Sequence, residues 1–156
     1  MIEDKKTLWI VLLIPIFCLL ALTAQKKYIR STGVEVYLPI EGYDPRDLIS
    51  GHYLIYRVDY GVPNLCANYY KERYVCLDDR SFTNEQPTNC KLFIKGRCTY
   101  GDRFEAGIER YYIPESVAAE LEKLVREKKT GINISVSSDG VAQVKDLVIE
   151  GQIWGK

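Results

Sequence analysis

The sequence predicts a mainly β (α+β) protein: an N-terminal transmembrane helix, then a small antiparallel β barrel or sandwich carrying one α-helix. Three observations predict it. An uncharged run of 18 residues fills positions 7–24. Several later segments alternate apolar and polar residues with a period of two. One segment alone, after Pro114, switches to helical spacing.

The uncharged run, TLWIVLLIPIFCLLALTA, is long enough for the short end of a spanning helix. Trp9 near one end and Tyr28 just past the other suit the two membrane interfaces. Pro15 falls inside it, which a spanning helix tolerates. The alternative is a cleaved signal peptide with Lys5 and Lys6 as its charged start, but Leu22-Thr23-Ala24 makes a poor cleavage site. Residues 1–6 are then a cytoplasmic N-terminus, 7–24 the membrane helix, 25–32 a linker and 33–156 an extracytoplasmic β-rich domain.

GVEVYLP places Val34, Val36 and Leu38 on one face of a half-buried strand that Pro39 ends. HYLIYRVDY alternates most clearly, with Leu54, Tyr56, Val58 and Tyr60 facing one way. Residues 61 to about 90 read as a long polar loop held by cysteines. Lys91–Arg97 and Gly107–Ile113 read as strands. Pro114-Glu115-Ser116 opens a helix whose stripe is Val117, Leu121, Leu124 and Val125, with Gly131 past its end. Ile132–Val136 and Val141–Ile149 are strands joined around Asp139-Gly140, a hairpin signal.

Composition excludes several functions. With 21 Lys+Arg against 21 Asp+Glu, no basic excess favours nucleic acid. A single His rules out sites needing two. No P-loop, dinucleotide fingerprint, calcium loop or H-E-x-x-H pattern occurs, so neither metal nor cofactor is expected.

Five cysteines include four between positions 66 and 98: Cys66, Cys76, Cys90 and Cys98. An even, clustered set in a membrane-targeted chain points to disulfides in an oxidising compartment. Three pairings are possible; the favoured one staples two local loops, Cys66–Cys76 and Cys90–Cys98. A four-cysteine zinc site is disfavoured because the spacing lacks tight knuckles. Disulfides therefore place the N-terminus inside and residues from about 26 onward outside an inner membrane, in a single pass.

EGYDPRDLISGHYLIYRV at residues 41–58 resembles the GDYXXLXY family of bacterial membrane-anchored proteins. Asp44, Pro45, Arg46, Asp47 and Leu48 match the run that precedes the family motif. Gly51 and Tyr53 match its first and third positions, whereas His52, Tyr56 and Val58 depart from it. GIERYYIPESVAAELE and the pattern of Asp139-Gly140, Val144, Leu147 and Gly151 extend the likeness. The resemblance implies an anchor, an extracytoplasmic domain and a multispanning membrane protein as genomic neighbour. It assigns no activity.

The candidate binding residues are Asp44, Arg46, Asp47, His52 and Tyr53. Arg46 between two carboxylates can make bidentate hydrogen bonds, in a binding epitope or in a buttressed turn. His52 titrates near neutrality but lacks an evident nucleophile. Tyrosine pairs at 69–70 and 111–112 suit an interface or an ordinary sheet. Together these predict no enzyme but a non-catalytic accessory subunit of an inner-membrane assembly. Its partners are the bilayer and a multispanning or periplasmic protein. Alternatives are an envelope Ser/Lys hydrolase using Ser50 with an inward Lys95, and a periplasmic ligand-binding sensor domain.

Overall fold

The structure is a computed structural model and describes residues 2–43, 53–63, 65–66, 72–99, 103–127 and 129–155. It opens with one long helix, α1 (Ile2–Thr32), which runs through Pro15 without ending. Over most of its length its large apolar side chains face outward: Trp9 is 63% and Phe17 73% exposed. By length and composition α1 can cross a membrane. The stretch 25–32, expected to be a linker, forms the last turns of the same helix. Nothing there breaks a helix, and Ile29 gains burial by docking on the sheet.

Strand β1 (Val34–Tyr43) follows after a single residue. Next come β2 (Tyr53–Val58), β3 (Glu72–Cys76), β4 (Ser81–Thr83), β5 (Phe93–Thr99), β6 (Arg103–Glu105) and β7 (Arg110–Tyr112). A 3-10 turn, Glu115–Val117, leads into α2 (Ala118–Glu127). The chain closes with β8 (Thr130–Val136), β9 (Ala142–Ile149) and β10 (Gln152–Ile153). The mainly β class is therefore right. A six-stranded sheet runs β10-β9-β8-β1-β2-β7, and a four-stranded sheet runs β4-β3-β5-β6. All pairings are antiparallel. The sheets curl around one core that takes Leu54, Ile132, Ile134 and Leu147 from the larger sheet and Val75 and Ile94 from the smaller.

The periodicity of β2 is obeyed: Leu54 and Tyr56 are buried and Val58 half-buried, while Arg57 is exposed. Tyr60, just past the strand, is buried too. In α2 the stripe also holds, with Leu121 buried and Leu124 and Val125 half-buried. The Asp139-Gly140 hairpin forms, Gly140 taking a φ of 80° that favours glycine.

Three expectations need correction. Pro39 does not end β1. Pairing with β8 stops at Pro39 and pairing with β2 starts at Ile40, so the missing N–H falls where the strand changes partner. Val34, expected on the buried face, is 58% exposed, because it lies at the helix junction before the core begins. The polar stretch 61–90 is not all loop: it contains β3 and β4, whose buried residues Arg73, Val75 and Cys76 give no clean alternation. The very short β6 and β10 carry no pattern long enough to read.

Candidate functional site

Of the candidate binding residues, Asp44, Arg46, Asp47 and His52 lie outside the described residues, as does Ser50. Tyr53 opens β2 opposite Tyr112 of β7. Lys95 contradicts the inward orientation that a neutral lysine base needs. Its side chain is 38% exposed and its Nζ lies 3.2 Å from Glu72, so it lacks the burial such a base requires.

The cysteines form two disulfides, but not the local ones expected. Cys66 pairs with Cys98, and Cys76 with Cys90. The reason is the antiparallel pairing of β3 with β5, in which Glu72 faces Arg97 and Cys76 faces Phe93. Such a pair brings early residues opposite late ones, so the bridges nest. A local Cys66–Cys76 bridge would have to fold back along an extended strand. Asp78 sits beside Cys76 and Cys90, yet those sulfurs are bonded to each other. Its carboxylate instead accepts from the backbone N–H of Lys91 at 2.9 Å and Leu92 at 3.3 Å. Arg73, buried in β3, donates to the carbonyl of Leu65 and stacks 4.6 Å over the Phe82 ring.

A second polar cluster lies inside the larger sheet. The Tyr56 hydroxyl donates to the carbonyl of Ile108 at 2.6 Å. Tyr60 approaches Glu109 Oε1 at 3.5 Å, and that oxygen accepts from the Ala106 N–H at 2.7 Å. Burial, and then the Glu109 carboxylate, push both phenols well above the ordinary value of 10.0. They remain neutral donors that tie β2 to the segment before β7.

The most specific arrangement is where α1 meets the sheet. The carbonyl of Ile29 accepts two hydrogen bonds, from the Gly33 N–H at 3.0 Å and from the buried Ser135 hydroxyl at 2.7 Å. This satisfies a helix-end carbonyl inside the protein. A Cβ at Gly33 would overlap Ser135 Oγ and come within 2.7 Å of the Val136 carbonyl. Only glycine lets helix and sheet approach so closely.

On β9 the register slips: Asn133 faces Asp146, but Ile134 faces Val144. Lys145 is therefore the extra residue of a β-bulge. Its carbonyl accepts from Arg30 Nη2 of α1 at 2.9 Å, and its ammonium pairs with Glu35 of β1. The bulge thus aims two groups of one residue at the junction.

The chain matches the family of GDYXXLXY proteins over residues 15–147. It belongs to that family. The matched span of this GDYXXLXY protein runs from Pro15 in α1 to Leu147 in β9, so it contains the whole junction, the smaller sheet and all of the larger sheet except the end of β9 and β10. No curated protein and no solved structure matches it.

The junction residues Ile29, Gly33, Ser135 and Lys145 were missed from sequence. One signal was readable. Along β9 the apolar residues shift from Ala142 and Val144 before the bulge to Leu147 and Ile149 after it, with Val148 between them apolar too. A change of parity within one strand marks an extra residue.

Proposed function

We propose that this GDYXXLXY protein is a single-pass bacterial inner-membrane protein with a periplasmic domain. In this proposal it is a non-catalytic accessory subunit that steadies a membrane partner. The observation that carries the proposal is the docked end of α1. A tethered enzyme can work on a flexible linker, whereas here helix and sheet share hydrogen bonds through Ile29. A rigid stalk fixes both the height and the rotation of the domain above a bilayer, which suits a subunit that must present one face to a neighbour. The two disulfides favour an oxidising compartment for that domain. The apolar surface of α1 is left for lipid or for helices of a multispanning protein.

Two measurements test the proposal. A phosphatase fused after Lys156 is expected to be active, and inactivity would reverse the topology. Photo-crosslinking from Phe17 in cells is expected to give one discrete adduct with an integral membrane protein. Adducts with lipid alone would remove the partner.

A further inference from the structure

The eighteen uncharged residues 7–24 extend about 27 Å as a helix, close to the ~30 Å hydrocarbon thickness of a bilayer. Ile29 lies five residues beyond Ala24, or about 7.5 Å further along α1. With residues 7–24 in the hydrocarbon core, a domain docked at that height has its near face among the headgroups. That face carries an open groove of about 490 Å³ between α1 and the larger sheet. Lys26 and Arg30 of α1 line one side, and Arg110, Tyr111, Tyr112 and Lys145 the other. None of the described residues lining it is acidic. Glu35, paired with Lys145, lies outside the lining. Tyr112 is 77% and Tyr28 68% exposed, placing amphipathic rings where membrane interfaces favour them.

We propose that this groove holds the headgroup of an anionic phospholipid of the phosphatidylglycerol type, drawn from the leaflet that α1 enters; this rests on α1 being an uncleaved anchor. Arginine forks and lysine ammoniums suit a phosphodiester. The exposed apolar flank of α1, with Leu19 and Leu22, continues from the groove into the bilayer and gives the acyl chains a surface to lie on. A free phosphate would use only the polar half of this arrangement. The groove is built jointly by helix and domain, so the lipid would clamp the junction itself.

The test uses the full chain in nanodiscs of phosphatidylcholine containing a minority of phosphatidylglycerol, with retained lipid counted by native mass spectrometry. Preferential retention of phosphatidylglycerol is expected. The Lys26→Gln/Arg110→Gln variant should lower its affinity by roughly 30-fold, as expected for two interfacial cations. Lys26→Glu alone, on the exposed helix surface, should weaken it in the same direction and guards against misfolding at Arg110. Lys27→Gln, one residue round the helix and outside the groove, should leave retention unchanged. Equal retention of both lipids overturns the proposal, as does unchanged retention in both groove variants. Displacement of the lipid by millimolar inorganic phosphate would reassign the groove to a free anion. Carbonate extraction separates the two levels. Release of a shortened chain sinks the anchor and the lipid site together, whereas a membrane-retained chain without lipid preference sinks the lipid site alone.

Discussion

The two sheets hold together by different means. Around β1, β8 and β9 the larger sheet has long strands, short connections and a dry core of Ile132, Ile134, Val136 and Leu147, and α1 is bonded to it directly. No disulfide touches those strands. The smaller sheet has strands of three to seven residues, separated by polar turns. It carries both bridges. Short strands bury too little apolar area to offset the entropy of ordering their loops. Covalent links that restrict the unfolded chain make up the difference.

That contrast can be broken most directly by removing the outer bridge. Its sequence separation is 32, for which chain entropy assigns roughly 3.7 kcal/mol. Cys66→Ala/Cys98→Ala should therefore give the largest loss, measured as denaturant midpoint of the full chain in micelles. The inner bridge has a separation of 14, and Cys76→Ala/Cys90→Ala should lose somewhat less, about 3 kcal/mol. If both pairs change the midpoint by less than an exposed-surface substitution does, the smaller sheet stands without its staples and the contrast fails.

Gly33→Ala attacks the other region. The added methyl must push Ser135 or the Val136 carbonyl aside, for an expected loss of about 2 kcal/mol. Thiol trapping should show both disulfides still intact, because the damage belongs to the junction.

Alkaline pH sharpens the contrast further. Tyr56 and Tyr60 have phenol pKa values raised above the ordinary 10.0 by burial and by Glu109. The neutral form is favoured in the folded chain, so this contribution is complete below about pH 10 and is lost as pH rises beyond it. The slope should be roughly 1.4 kcal/mol per pH unit for each tyrosine. Tyr56→Phe should flatten it; an unchanged slope would mean that the phenols do not govern the transition. The smallest effect is expected from Lys145→Gln, whose partner Glu35 is 65% exposed. Its midpoint shift should stay below about 1 kcal/mol and shrink with added salt. A larger shift would mean that the bulge depends on its ion pair.

Legibility followed the same divide. β2, α2 and the Asp139-Gly140 hairpin were readable because each buries one face at a regular period. β3 and β4 were not, since their polar residues read as loop; Arg73 is buried there by stacking on Phe82 and bonding to Leu65. The junction was half legible. The apolar run announced a helix, but an isolated sequence gave no reason for it to continue through residues 25–32. The candidate residues Asp44, Arg46, Asp47 and His52 carried the family likeness and lie outside the described residues.

The sequence by itself determined the apolar helix, the mainly β class, the even set of cysteines and the family. All of these are local properties: run length, period, residue count and motif. Tertiary structure alone decided which cysteines meet, where β1 changes partner and how α1 ends. Antiparallel pairing of β3 with β5 nests the bridges, and the β9 bulge turns Lys145 toward α1. Each of these joins residues far apart in the chain, and the choice among such pairings lies in the backbone register and in the burial of polar groups such as Ser135.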